Sequence, residues 1–147
     1  MAIKEAVTEQ DIRACYPCMK QLRQHLSEND FLNCVKQQQT EHYKLVYLKA
    51  NNHIQAVMGY RILHNLAWGK FLYIDDLVTV ESRRSQGYGS NLLSWAESIA
   101  RENRCNEIHL DSGLEKTKAH QFYLTNHYTK KSMHFRKCLD DFRFLEV

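Results

Sequence analysis

The chain has 147 residues, of which 44% are hydrophobic and 25% charged, with a formal net charge of +3. These values are typical of one folded globular domain, so we expect a single domain over residues 1–147 and neither a disordered chain nor a two-domain protein. The basic residues occur in pairs rather than long runs, which argues against a dedicated nucleic-acid binder.

The N-terminal part predicts a strand followed by helices. Residues 2–7 alternate apolar and polar side chains as an edge strand does, and Thr8 is a suitable cap for the helix that follows. From about 9 to 40, apolar residues recur every three or four positions, which predicts a helical region. Pro17 is expected to divide this region into two short helices.

The middle of the chain predicts three neighbouring antiparallel strands. Residues 42–49 and 54–63 form the arms of a hairpin, and Asn51-Asn52 supplies a turn that tolerates positive φ. Residues 64–70 are expected to form a loop. Residues 71–80 are predicted to form a third strand, which carries two adjacent aspartates.

The C-terminal part alternates helices and strands. An amphipathic helix is predicted to begin at Gly87, followed by a strand at 107–112 and a helix at Thr117–Thr125. Tyr128–Lys137 is predicted to be a strand, and the tail from Cys138 could add an edge strand. This order predicts a mixed sheet with parallel pairing near its end.

Two glycines stand directly before the amphipathic helix, in the stretch RRSQGYGSNLL at 83–93. The stretch lacks the Lys of a P-loop and the third glycine of a Rossmann fingerprint, because Leu92 occupies that position. A tight turn with exposed amides at a helix N-terminus suits an anion such as a pyrophosphate. A turn in which Gly87 and Gly89 only relieve backbone strain is the alternative.

The segment from residue 73 to 135 resembles the GNAT acetyltransferase superfamily. Its coenzyme-A signature is a basic residue or Gln, any two residues, Gly, any residue, then Gly or Ala, and it is matched from Arg84 to Gly89. The later AHQFYLTNHY at 119–128 resembles the family's second conserved helix. The resemblance implies an α/β GNAT fold in which a mixed sheet of six to seven strands is flanked by about four helices, with splayed central strands.

The resemblance also implies how acetyl-CoA is held as co-substrate, without a metal. Backbone amides of the glycine turn would bind the pyrophosphate, and the strand before the turn would pair with the pantetheine arm, where the Val78 amide would polarise the thioester carbonyl. Lys116 stands where the family commonly has Asn and could reach a phosphate. The implied coenzyme contacts are Leu77, Val78, Val80, Arg84, Gln86, Gly87, Tyr88, Gly89, Ser90 and Lys116.

Three residues are candidates for the chemistry. By resemblance, Tyr123 donates a proton to the departing thiolate, and a core aromatic is the alternative interpretation. Asp75 and Asp76 stand before the implied thioester site. Because adjacent strand residues face opposite sides of a sheet, we expect one to act as base or cation anchor while the other serves the fold, and a structural ion pair is the alternative.

The remaining patterns indicate location and rival sites. Five cysteines without framework spacing indicate free thiols, and CYPC at 15–18 lacks the second pair that a zinc site needs. The apolar runs are far shorter than the roughly 18 residues of a membrane helix, and the N-terminus does not resemble a secretory signal. We therefore predict a cytoplasmic protein that acts without membrane or nucleic acid.

Together these observations predict an acetyl-CoA-dependent N-acetyltransferase that acts on a primary amine of a small molecule or peptide, in a possible homodimer. Two alternatives remain at this point. One is a GNAT-fold sensor that binds coenzyme A with little catalysis, and the other is an enzyme that transfers a longer acyl group.

Overall fold

A computed structural model describes residues 1–84 and 86–139. It contains two compact units, one over Met1–Leu110 and another that begins at Asp111, and each is described by itself. None of the described helices is long and apolar enough to cross a membrane. The elements are β1 (Ala2–Glu5), α1 (Glu9–Met19), α2 (Glu28–Gln39), β2 (Lys44–Ala50), β3 (His53–Asn65), β4 (Gly69–Thr79), α3 (Tyr88–Glu102), β5 (Glu107–Leu110) and α4 (Thr117–Thr125).

Helices α1 and α2 begin at capped positions. The Thr8 hydroxyl accepts a hydrogen bond from the Asp11 amide at 3.1 Å, as its position before the helical pattern predicts. The predicted division into two helices is confirmed, but its place is different. Pro17 lies inside α1, which ends at Met19. A proline removes one hydrogen bond donor, and so close to the end of a helix this loss does not stop the last turn from forming.

Strands β1 to β4 pair antiparallel in chain order, and β5 pairs parallel with β4. Asn51 and Asn52 have φ of 55° and 63°, which confirms the predicted turn. The predicted loop at 64–70 is mostly strand, because β3 and β4 extend to a tight turn between Asn65 and Gly69. In that turn the Asn65 side chain accepts a hydrogen bond from the Trp68 amide at 2.7 Å.

The mixed α/β architecture and the four predicted helices are confirmed, whereas the described sheet has five strands instead of six or seven. The predicted strand at Tyr128–Lys137 is wrong, since the structure assigns no strand to residues 128–139. Alternation along a sequence indicates how side chains could face, but a strand also needs a partner to bond with. The rest of the predicted edge strand, from residue 140, lies outside the described residues.

The sheet of the first unit is covered on both faces. On one face Ile12 and Val35 of α1 and α2 join Leu45 and Val57 in a single buried cluster. On the other face α3 packs on β3 and β4, where Trp95 meets Tyr60 edge to face at 5.7 Å. Burial on both faces fixes the position of β4, the strand that carries the two aspartates.

The second unit contains α4 with the predicted boundaries. His127 follows the helix with φ of 70°, the left-handed conformation in which helices commonly end.

Candidate active site

The glycine turn forms the N-terminus of α3. Gly87 is the N-cap, with φ of 84°, a conformation that side chains with a Cβ rarely adopt. The first helical hydrogen bond joins the Asn91 amide to the Gly87 carbonyl at 3.0 Å. The amides of Tyr88, Gly89 and Ser90 therefore precede the helical hydrogen-bond pattern, and Gly87 has no side chain to cap them.

The surroundings of this turn are open and basic. A Cβ built on Gly87 meets no atom within 4 Å, so the positive φ, not lack of space, explains the glycine. Arg84 and Gln86 are exposed before the helix, while Ser85 lies outside the described residues. With 15 residues, α3 has a full macrodipole directed at this turn, which favours an anion.

Strand β4, which precedes this turn in the chain, has one edge that is partly unpaired. Strand β5 pairs with β4 only from Phe71 to Ile74, although β4 continues to Thr79. Across the described residues, no strand pairs with β4 beyond Ile74 on this side. This parting of β4 and β5 within the sheet is the splay that the sequence resemblance implies.

The pairing with β3 determines which amides of β4 point to the open edge. The Val80 amide donates to the Gln55 carbonyl at 2.8 Å. Hydrogen-bonded pairs alternate along an antiparallel ladder, so this bond also directs the Val78 backbone groups toward Val57 on β3. The backbone N–H and C=O groups of Leu77 and Thr79 consequently point to the open edge.

Two of the three residues predicted to contact pantetheine therefore do not direct their backbone groups to the open edge. The Val78 backbone groups point to β3, and the Val80 carbonyl already accepts a hydrogen bond from the Arg83 amide at 2.8 Å. Leu77 keeps its expected position at the edge, and Thr79 joins it. The period of two along a strand could have excluded Val78 once Leu77 was chosen.

A β-bulge places the two aspartates on one face of the sheet. Gly59 pairs with Asp76 and Tyr60 with Ile74, which leaves Asp75 as the extra residue of β4. The expectation that the two carboxylates face opposite sides is therefore wrong. The sequence signal for the bulge is Gly59, a glycine inside a strand, which often marks a bulge or a close approach.

Asp76 is held by a network of partly buried contacts. Its Oδ2 accepts a hydrogen bond from the Tyr43 hydroxyl at 2.7 Å, and its Oδ1 accepts from Arg23 Nε at 2.9 Å. Arg23 also donates to the Asp75 carbonyl at 3.1 Å, so it bridges both residues of the bulge. Burial, with the neighbouring Asp76 carboxylate, raises the pKa of Tyr43 well above its usual value. These contacts give Asp76 a structural role.

The Tyr43 hydroxyl also explains why residue 59 is glycine. A Cβ at Gly59 would lie 1.8 Å from the Tyr43 oxygen, which is far inside contact distance. The bare backbone of Gly59 thus lets Tyr43 pass under β3 and reach Asp76.

Asp75 has a different environment from Asp76. Its Oδ2 accepts a hydrogen bond from Arg61 Nε at 2.8 Å, and the Arg61 guanidinium lies 5.8 Å from the centre of the Tyr43 ring. Burial raises the pKa of the Asp75 carboxyl, while the bond to Arg61 lowers it in part. A carboxyl with a raised pKa and a single charged side-chain bond is suited to proton exchange.

The sequence matches a known family over most of its length. The profile described as acetyltransferase (GNAT) family matches residues 7–128. The chain belongs to the GNAT acetyltransferase family. It is consequently an acyltransferase.

Relatives of this GNAT protein support that assignment. The uncharacterized N-acetyltransferase YhdJ of Bacillus subtilis is 35% identical over 140 residues, which cover 92% of this chain and 96% of the relative. The aminoalkylphosphonate N-acetyltransferase of Salmonella typhimurium is 36% identical over 78 residues, covering 52% of this chain and 49% of that protein.

Solved structures share the fold. AAC(6')-Iy, in complex with the bisubstrate analogue CoA-S-monomethyl-acetylneamine, superposes with a TM-score of 0.79 at 14% identity, covering 93% of this chain and 97% of that chain. At that identity the likeness is one of fold.

In this GNAT protein, Tyr123 and Lys116 belong to the second unit. Tyr123 lies on α4, where its ring contacts Phe122 at 5.3 Å and Tyr128 at 5.9 Å between centroids. Burial raises the pKa of the Tyr123 phenol, so the group stays protonated at neutral pH. Lys116 is the exposed N-cap of α4 and makes no side-chain cap.

The CYPC motif is part of the buried core. Cys15 and Cys18 are at most 3% exposed, and burial raises the pKa of both thiols to about 12. At neutral pH both are protonated, which makes them unreactive packing groups. Within 1–84 and 86–139, no three His, Cys, Asp or Glu side chains lie close enough together to hold a metal ion.

Three residues of this site, Arg23, Tyr43 and Arg61, were not predicted from the sequence. Arg23 and Tyr43 lie 53 and 33 positions from Asp76, so no local pattern connects them. Arg61 lies on β3, 14 positions before its partner Asp75. The predicted antiparallel arrangement of the strands at 54–63 and 71–80 could have placed Arg61 near Asp75.

Proposed function

We propose that this GNAT protein transfers an acetyl group from acetyl-CoA directly to a primary amine of a small molecule or peptide. The amine nitrogen bonds to the acetyl carbon, the carbon–sulfur bond breaks, the nitrogen loses a proton and the thiolate gains one. The observation that carries the proposal is the open edge of β4, which leads within ten residues to the glycine turn of α3. One continuous segment can thus hold both ends of an extended coenzyme.

On the donor side, backbone groups supply the contacts. The amides of Tyr88, Gly89 and Ser90 suit a pyrophosphate, and exposed Arg84 adds positive charge. The Leu77 and Thr79 backbone groups suit the amides of the pantetheine arm, which would lie along β4 like an added strand. An amide of this edge that points at the thioester oxygen would stabilise the negative charge that develops there.

On the acceptor side, Asp75 is the candidate base. The amine must be neutral to attack, so a nearby group has to accept its proton. Asp76 has each of its oxygens engaged by Tyr43 or Arg23 and serves the fold. Asp75 is the carboxylate left for the acceptor, and the bulge turns it to the same face.

Tyr123 is the candidate acid. Its protonated phenol would give a proton to the leaving thiolate, whose basicity is similar to that of a phenol. Burial raises the pKa of Tyr123, so the phenol is protonated at neutral pH and carries the proton that this role requires. Lys116, exposed at the start of α4, would add a phosphate contact.

The proposal includes a cytoplasmic location and a homodimer, both of which are sequence-based predictions. Sedimentation of the purified chain tests the homodimer, and fractionation of expressing cells tests the location. A monomer or a membrane-associated chain would contradict these two parts without affecting the chemistry.

The test of the activity is release of free thiol from acetyl-CoA in the presence of polyamines, amino acids, aminoglycosides, peptide N-termini and simple primary monoamines. We expect release with at least one amine class and its loss in Tyr123→Phe, which keeps the ring but not the proton. Tight coenzyme binding without release would identify a sensor, and release only with a longer acyl-CoA would identify a different acyltransferase. Turnover of folded Tyr123→Phe at the wild-type rate would remove Tyr123 from the mechanism.

A further inference from the structure

A small pocket opens on the face of the sheet that carries the two aspartates. It has a volume of about 360 Å³, near the lower end of the range for small-molecule sites. Two facing pairs of the β3–β4 hairpin, Arg61 with Tyr73 and Leu63 with Phe71, contribute to it. The lining residues are Arg61, Leu63, Trp68, Phe71, Tyr73 and Asp75.

One end of this pocket is built from fixed aromatic rings. Trp68 stacks on His109 with centroids 3.5 Å apart and planes 10° apart. The same indole meets Phe71 edge to face at 4.9 Å. Rings held on two sides form a rigid wall, which favours a planar apolar group over a flexible polar one because little side-chain freedom is lost on binding.

The other end carries the Asp75–Arg61 ion pair. Both side chains are about one-fifth exposed, so the pair is reachable from the pocket. The pair has no net charge, and a carboxylate has room for further donors besides the one bond to Arg61. This end can therefore accept an N–H from an amine, whereas a carboxylate on the ligand would add a second negative charge for the single guanidinium of the lining, Arg61.

The pocket is close to the open edge of β4. Asp75 precedes Leu77 by two residues, so at about 3.3 Å of rise per residue their Cα atoms lie about 7 Å apart along the strand. An amine bonded to Asp75 would thus lie beside the edge at which the thioester is proposed to bind, while its apolar body lies against Trp68 and Phe71.

We propose that this pocket binds the acyl acceptor and that the acceptor is a primary amine on a planar apolar body, an arylalkylamine without a carboxylate. The inference rests on the proposed acetyl transfer and names its substrate class. The lining contains a single carboxylate and a neutral charge balance. Polyamines and aminoglycosides carry several positive charges and would leave most of them unpaired here.

The test compares acceptors on the wild-type chain with acetyl-CoA as donor. The panel is phenethylamine, tyramine, n-butylamine, phenylalanine, spermidine and kanamycin. We expect kcat/KM for the two arylalkylamines to exceed that for the other four by about tenfold or more, as a matched apolar pocket provides. Equal or better turnover of n-butylamine, spermidine, kanamycin or phenylalanine overturns the substrate class but leaves acetyl transfer intact. If none of the six amines causes thiol release, the proposed function itself is overturned.

A matched pair of variants tests the wall directly. Trp68→Ala should raise KM for phenethylamine by about tenfold, the effect of losing one ring contact, with KM for acetyl-CoA unchanged. Leu66→Ala removes a side chain from the same turn that is fully exposed and does not line the pocket, so it should change neither value. The same KM for phenethylamine in both variants overturns the assignment. If Trp68→Ala does not fold, the acceptor series on the wild-type chain decides.

Discussion

The hydroxyl of Tyr43 offers a quantitative test of the network that holds the β4 bulge. Tyr43→Phe removes a 2.7 Å hydrogen bond to the Asp76 carboxylate and leaves the ring in place. Tyr43 is only 3% exposed, so water does not readily replace the lost donor. Because the acceptor is charged, we expect the free energy of unfolding to fall by about 2 kcal/mol.

Tyr16→Phe is the matched control. The Tyr16 hydroxyl also donates at 2.7 Å, but its acceptor is the neutral Leu26 carbonyl. Loss of a neutral hydrogen bond should lower the free energy of unfolding by about 1 kcal/mol. Urea denaturation at neutral pH measures both. The loss should be larger for Tyr43→Phe than for Tyr16→Phe, and an equal or smaller loss would refute the view that the Asp76 carboxylate depends on the Tyr43 hydroxyl.

Three further predictions concern the turn, the base and the core thiols. Because φ is 84° at Gly87, Gly87→Ala should raise KM for acetyl-CoA and lower the free energy of unfolding by about 1 kcal/mol. Asn tolerates positive φ better than Ala, so both changes should be smaller in Gly87→Asn, and changes of equal size in the two variants would contradict the role of φ. Burial raises the pKa of Asp75 and the bond to Arg61 lowers it, so Arg61→Gln should move the acidic limb of the pH profile of kcat to higher pH. Arg101→Gln, which changes an exposed arginine, is the control, and the same acidic limb in both variants would argue against Asp75 as base. Iodoacetamide at pH 8 should label exposed Cys34 well before Cys15 and Cys18, whose pKa values are about 12, and mass spectrometry showing equal rates would contradict their burial.

Local patterns in the sequence predicted the elements that local interactions determine. The Thr8 cap, the Asn51-Asn52 turn and the boundaries of α4 each depend on a few neighbouring residues, and each agrees with the structure. The strand predicted at Tyr128–Lys137 depended on alternation alone. Its failure shows that alternation without a pairing partner is a weak signal.

The details of the site depend on contacts between distant residues. The bulge arises from the register of β3 against β4, and Gly59 was its only mark in the sequence. Once formed, the bulge turns Asp75 and Asp76 to the same face, where Tyr43 and Arg23 engage the second of them. A one-residue change of register also decides that Thr79, instead of Val78, faces the open edge. The period of two groups Leu77 with Thr79 and separates both from Val78, but only the bonds to β3 decide which of these two sets faces the open edge.

The central claim is that coenzyme A binds along the open edge of β4 and at the N-terminus of α3. Titration of the ¹⁵N-labelled chain with coenzyme A, followed by amide chemical shifts, tests it most directly. We predict the largest changes at the amides of Leu77, Thr79, Tyr88 and Gly89, with a smaller change at Val78, which faces β3. Largest changes in α2 or β1, with the β4 edge and the turn unaffected, would contradict the account.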